Sequence, residues 1–274
     1  MGWVVYDGEG AVRNAWFAEH LQKIAIDLSV ELELVPDVEV IAKFTAEGPP
    51  DFALVRTMNP SLSRWLEDRG VLVINNALTS TIANDKWKTY CFCVENGIPV
   101  LPTVMAGMSG DFCEERVMKS VDGHGGSEVF LVRDKCGVQK IQSQFPGKKF
   151  ILQELCTDVG HDMRAYVIGG EVVAAVLRTA KGGFRSNFSL GGDVKRMSIT
   201  EVEKSVIDRL NALLSFGFVG VDFLRHHGRW VLNEIEDVVG SRMLYSCSEI
   251  DVALPYMKYA VDRARRFMGK EVVS

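Results

Sequence analysis

Apolar residues along this chain fall in short runs divided by turn residues, and the runs alternate between two periods. Trp3 to Tyr6 is an unbroken apolar run of strand length, closed by Asp7-Gly8-Glu9-Gly10. Beyond it, Trp16, Phe17, Leu21, Ile24 and Leu28 recur at helical spacing. A strand, a bare turn and a helix are predicted. Runs at Glu31 to Val35, Asp51 to Val55 and Val71 to Ile74 alternate with helical or loop segments such as Ser61 to Arg69. This predicts a small parallel sheet, an α/β first domain over residues 1–83.

From Asn84 the pattern changes. A helix is predicted through Asp85-Lys86-Trp87-Lys88 to Glu95, stopped by Asn96-Gly97, because glycine after a last turn is a common helix stop. Val117 to Ser120, the glycine-rich Asp122 to Gly126 and Glu128 to Val132 read as a strand, a loop and a returning strand. Further strands are expected at 150–155, 163–168, 171–178, 218–224 and 229–235, with helices at about 200–216 and 251–268. Residues 84–154 and 155–274 are read as two further units, α+β in character. Gly8-x-Gly10 after the first strand invites a dinucleotide-binding reading, but Arg13 stands where a third glycine is needed, and a turn explains the pair.

Composition narrows the classes of function. The chain has 274 residues, 47% of them hydrophobic, and a formal charge of −5. There is no basic field to neutralise a phosphate backbone, so nucleic acid is not an expected partner. The apolar runs are too short to span a bilayer, so no membrane is expected and a cytoplasmic location is. Self-association into a homo-oligomer stays open. The six cysteines form no Cys-x-x-Cys pair and predict neither a zinc site nor a disulfide framework.

Chemistry concentrates in the last third. Gly220 to Leu224 and Trp230 to Glu236 are two strands around a tight turn, which brings Asp222 near Glu234 and puts Glu234 and Glu236 on one face. Three converging carboxylates are hard oxygen donors of the kind that hold Mg2+ together with substrate phosphates. A solvated acidic face is the alternative for these residues taken alone. Upstream, Lys86 and Lys119 could meet phosphate oxygens, and the glycines after Lys119 could let backbone N–H groups close over them. No Gly-Lys-Ser or Gly-Lys-Thr follows, so this is not a P-loop.

Asn84-Asp85-Lys86, Gly97-Ile98-Pro99-Val100, the Lys119 strand with its glycine loop, Leu152-Gln153-Glu154, Asp162-Met163-Arg164, Phe184-Arg185-Ser186-Asn187, Gly191-Gly192, Gly220-Val221-Asp222 and Asn233-Glu234-Ile235-Glu236 occur in that order. Across nearly the whole chain the series resembles the RimK-type branch of the ATP-grasp enzymes. The resemblance implies an ATP-grasp fold behind a Rossmann-like N-terminal domain. It also implies an ADP-forming ligase that joins a carboxylate to an amine through an acyl phosphate, the substrates being small, peptide or carrier-bound. A kinase that stops at phosphoryl transfer and an ATP sensor without turnover are the competing readings. By the same resemblance Lys86, Lys119 and Lys181 would contact ATP, with Gly123, Gly125 and Gly126 folding over its phosphates. Gln153, Glu154 and Leu155 would line the adenine edge, and Asp162 would face the ribose. Asp222, Glu234 and Glu236 would hold Mg2+, and Arg185, Asn187 and Arg178 would be catalytic.

Departures from the family pattern are informative. Glu236 stands where asparagine is usual, Val238-Val239-Gly240-Ser241-Arg242 replaces a segment with Pro-Gly, and Leu190 replaces a common arginine. Arg242 is a candidate substitute cation for substrate binding. Arg56, at the carboxyl end of a first-domain strand, is a candidate partner for a substrate carboxylate. His124 lies inside the expected phosphate lid, whereas His226-His227 is expected at a solvent-facing turn.

Overall fold

The computed structural model describes residues 1–126, 128–182 and 193–269. Its first sheet has the order β2-β1-β3-β4, from β1 (Gly2–Tyr6), β2 (Leu32–Pro36), β3 (Phe52–Val55) and β4 (Leu72–Ile74), and every pair is parallel. Both faces are covered, which explains why the β1 run is apolar throughout rather than alternating. Trp3 and Val5 pack with Val40 of α3 (Val40–Glu47) and Leu62 and Leu66 of α4 (Pro60–Glu67). Val4 and Tyr6 pack on the other side with Phe17 and Leu21 of α2 (Ala15–Asp27) and with Tyr256, Met257 and Ala260 of α10 (Ala253–Phe267).

One local expectation fails. Asp7-Gly8-Glu9-Gly10 is not a bare turn but the start of helix α1 (Gly8–Arg13). The Asp7 side chain accepts a hydrogen bond from the Gly10 N–H at 2.6 Å, and this N-cap offsets the poor helix propensity of two glycines.

After α5 (Ala77–Ala83) and α6 (Lys86–Glu95), a second sheet has the order β5-β8-β6-β7. It is built from β5 (Thr103–Met105), β6 (Arg116–Ser120), β7 (Val129–Val132) and β8 (Phe150–Glu154), all antiparallel. Met118, Phe150 and Leu152 turn to one side and pack on Val138 of α7 (Lys135–Gln144). Strand alternation therefore sends Val117, Lys119 and Gln153 to the other side.

The third sheet, β11-β10-β9-β12-β13, uses β9 (His161–Ile168), β10 (Glu171–Thr179), β11 (Asp193–Met197), β12 (Phe218–His226) and β13 (Arg229–Glu236). Met163, Ala165 and Val167 face α8 (Glu201–Leu214), whose Ile207, Leu210 and Leu214 complete that core. The helix begins in a Thr200–Glu203 capping box, the position a Thr-x-x-Glu sequence favours. On the opposite face, Tyr166 and Ile168 join the core shared with the first sheet, α10, and Met243 and Leu244 of α9 (Arg242–Cys247). The first sheet and the third sheet thus have an apolar interior in common.

Asn75 fastens this junction. Its carbonyl oxygen accepts from the Gly217 and Phe218 N–H groups, each at 2.8 Å, and its amide donates to the Asp237 carboxylate at 2.6 Å. Asn84 donates to the other Asp237 oxygen at 3.1 Å. Burial raises the Asp237 carboxyl above its ordinary range, against the pull of the hydrogen bonds from Ser80, Asn75 and Asn84.

Candidate functional site

Register explains the site. Across the third sheet Asp222 lies opposite Arg164 on one side and Glu234 on the other, and Arg178 lies opposite Asp162. Directly opposed residues share a face, so acids and guanidinium groups meet on one surface. Arg164 bonds both Asp222 oxygens, at 2.7 and 2.6 Å, and also bonds Glu236. Arg178 donates to Asp222 at 2.7 Å and to Asp162.

The pairing between β12 and β13 shifts after Asp222, where Phe223 faces Leu232 rather than Asn233. That bulge is why Leu232 and Ile235, three apart, enter the same core, and why Asn233 is free of strict alternation. The Asn233 side chain reaches across to the second sheet and accepts from Lys119 at 2.8 Å.

Lys119 is buried, and its second partner is the Gln153 carbonyl at 2.7 Å. Burial lowers its ammonium to about 8, with Lys86 acting the same way and Glu234 opposing. Lys86 is the first residue of α6, behind the Asp85 N-cap, and sits 3.4 Å from Glu234 while donating to the Gly123 carbonyl. Burial raises Glu234, but Lys86 and Lys119 outweigh it and hold the carboxyl below its ordinary range. Burial raises Glu236, reinforced by Asp222 and Glu234 against Arg164. Asp222 is held low despite full burial, because Arg164 and Arg178 both favour the carboxylate.

Between the second and third sheets these residues border a cleft. Lys86, Lys119, Gly123, Gly125 and Gly126 line one end, and Gln153, Glu154, Leu155 and Asp162 also contribute to its wall. β8 ends at Glu154, whose N–H is taken by the Pro102 carbonyl at 2.9 Å, so Leu155 lies past the ladder. The glycines have distinct reasons. A side chain at Gly123 would collide with the Ser120 hydroxyl, its Cβ only 1.9 Å away, and Gly125 has φ +66°.

A second cleft of about 250 Å3 adjoins the first, and Lys86, His124, Gly125 and Glu234 line both. Glu236, Arg164, Arg178 and Arg242 line the second cleft and not the first. Oxygens of Asp222, Glu234 and Glu236 lie within 4.8 Å of one another, a hard donor set that suits Mg2+. Glu234 and Glu236 face the clefts; Asp222 is fully buried behind them with its oxygens on the two arginines.

Of the residues singled out in the sequence, the structure brings together Lys86, Lys119, Gly123, Gly125, Gly126, Gln153, Glu154, Leu155, Asp162, Arg178, Asp222, Glu234 and Glu236 around the two clefts. Arg178 is buried among acids. Lys181 is exposed, 3.3 Å from Asp193, and does not line the first cleft. Arg185 and Asn187 lie outside the described residues. Sequence reasoning gave no role to Arg164 or Asn233. The signal for Arg164 was its position two residues from Asp162 on one strand face; Asn233 depended on a bulge that alternation alone cannot locate.

A parallel sheet followed by two antiparallel sheets closing on a lysine-bearing cleft is the ATP-grasp arrangement, with a Rossmann-like domain ahead of it. Residues 83–259 match the model of the RimK-like ATP-grasp domain, and the chain belongs to that family of ATP-grasp ligases. The probable alpha-L-glutamate ligase of Maridesulfovibrio salexigens is 28% identical over 240 residues, 83% of this chain and 79% of that protein. The uncharacterized protein MG011 of Mycoplasma genitalium is 23% identical over 279 residues, 99% of this chain and 96% of that one. Among solved structures, the D-alanine–D-alanine ligase of Bacillus anthracis complexed with ATP superposes with a TM-score of 0.75 at 15% identity, covering 97% of each chain. No helix among the described residues is long and apolar enough to cross a membrane.

Proposed function

We propose that this chain is an ADP-forming ligase that joins a carboxylate to an amine through an acyl phosphate. The observation that carries this reading is the shared wall of the two clefts. Glu234, Lys86 and the Gly125 lid border both, so a nucleotide in the first would present its terminal phosphate at the mouth of the second.

ATP would lie with its base along Gln153 to Leu155, its ribose toward Asp162, and its phosphates against Lys86, Lys119 and the amides of Gly123 to Gly126. Asp222, Glu234 and Glu236 would hold Mg2+, which supplies charge neutralisation at the transferring phosphate. The substrate carboxylate attacks the terminal phosphorus, ADP departs, and the amine displaces phosphate from the acyl carbon. Lys86 and Lys119 stabilise charge building on the phosphate oxygens. Arg164 and Arg178 fix the acids that surround that charge, and Arg185 and Asn187 are assigned to the acyl phosphate by the family pattern. Lys181 is assigned to ATP on the same ground.

The test is incubation with ATP, Mg2+ and a panel of acids and amines. ADP release that requires both an acid and an amine, with hydroxylamine trapping of a hydroxamate, is expected. Release with an acid or alcohol alone would assign a kinase, and nucleotide binding with no ADP under any pairing would leave a sensor.

A further inference from the structure

Beside the second cleft is a pocket of about 390 Å3 between α1, α2 and the segment 240–246. Arg13, Arg56 and Arg242 line it together with Trp16, Phe17 and Tyr245, and no carboxylate lines it. Arg13, Gly240 and Arg242 also border the second cleft, so the two spaces adjoin.

Arg56 is the unusual member. It is 5% exposed, yet no carboxylate pairs with it among the described residues. It donates instead to the Tyr6 hydroxyl at 2.9 Å and the Val239 carbonyl at 2.7 Å. Rings of Tyr6, Phe17, Phe218 and Tyr256 surround it at 5.3 to 5.9 Å. The Asp237 carboxyl feels its charge from outside the pocket without an ion pair, and the guanidinium, held by ring faces and neutral oxygens, still directs a field into the pocket. Arg13 and Arg242 add to that field and form no ion pair among the described residues. The opposite wall is aromatic, with Trp16 also stacked on His20 at 5.2 Å. Trp16 is 61% exposed and stands edge-on to Tyr245 at 5.4 Å, while the Tyr245 hydroxyl is turned away onto Asp251 at 3.1 Å.

We propose that this pocket recognises an aromatic dianion, its ring against Trp16 and Phe17, one anionic group on Arg56, and the other directed past Arg242 toward the second cleft. The arginine set without an acid excludes a cationic amine, and the ring-lined wall favours a flat body over a flexible aliphatic one. Giving this ligand the role of the acid substrate rests on the ligase reading; its binding does not.

Calorimetric titration of the full chain, with Mg2+ and a non-hydrolysable ATP analogue present, tests the proposal. The probes are isophthalate, benzoate, glutarate and benzylamine. Isophthalate is expected to bind on the order of tenfold more tightly than benzoate or glutarate, and benzylamine not to bind. Arg242→Met and Trp16→Ala, both at exposed positions, should each weaken isophthalate on the order of tenfold and leave the analogue's affinity unchanged. Glutarate binding as well as isophthalate, benzylamine binding at all, or both variants binding isophthalate like the parent would each overturn it. If isophthalate binds as expected and no acid and amine pairing yields ADP, the ligase reading fails and the pocket stands. If ADP forms while the variants change no ligand's affinity, the pocket assignment fails and the ligase reading stands.

Discussion

In the paired clefts Lys86 meets Glu234, Arg164 meets Asp222 and Glu236, and Arg178 meets Asp162 and Asp222. In the adjoining pocket Arg13, Arg56 and Arg242 form no ion pair among the described residues, and no carboxylate lines the space they share. The first region is neutralised from within and needs no ligand to tolerate its burial. The second keeps a positive lining with Asp237 set behind Arg56 and outside the pocket, a usual condition of a surface that recognises anions. Charge pairing thus separates residues that hold the machinery in place from residues left open to a ligand.

The strongest way to break the contrast is to remove a shared acid. Asp222→Ala leaves Arg164 and Arg178 buried without their common partner and should cost about 3–5 kcal/mol of stability, measured by urea unfolding. That loss makes the substitution a poor test of metal binding. Glu234→Gln, at the wall between the clefts, should lower kcat on the order of 10²–10³-fold with little change in unfolding midpoint; a change below threefold would remove Glu234 from the chemistry. Asn75→Ala, which frees buried groups of β12 and Asp237 at the junction, should destabilise the fold by about 2 kcal/mol.

A smaller effect separates Lys119 from the paired cations, since its partners Gln153 and Asn233 are neutral. Its pKa of about 8 in the free protein lies below the ordinary lysine value, and bound phosphate favours the ammonium and raises it. Nucleotide affinity should therefore be flat below pH 8 and fall above it, by up to about tenfold per pH unit, with proton uptake on binding. Lys119→Met should abolish the slope; a parent slope of zero between pH 8 and 9 would contradict the assignment. Smallest of all, Lys181→Ala should weaken nucleotide binding by about two- to threefold, since an exposed cation contributes little through solvent; no change would remove Lys181 from the ATP contacts.

The same contrast governs what could be read before the fold was seen. Most of the cleft residues lie on strands or the loops that join them, and two-residue spacing with a short hairpin was enough to group Asp222, Glu234 and Glu236. The glycine loop after Lys119 was equally local. Arg164 escaped assignment because its meaning lies in cross-strand register, and Asn233 because a single bulge changes parity. In the arginine pocket, residues 13–17, 56 and 240–246 come from three distant segments. Arg56 and Arg242 could be nominated one at a time, but their common space with Trp16 and Phe17 depends on how α1 and α2 stand against the loop after β13. The α1 start itself was misread as a turn, since Gly8 and Gly10 hide a helix that only the Asp7 cap sustains.

The placement of α10 has a consequence for biosynthesis. One face of the first sheet is closed by α3 and α4, which are translated along with its strands, but the face bearing Tyr6 and Leu54 is finished by Tyr256, Met257 and Ala260. While the ribosome is still translating the ATP-grasp portion, α2 covers part of that face and the part that α10 will cover stays open and apolar. Apolar surface left open during synthesis is prone to aggregate, and here its closure waits on residues 253–267.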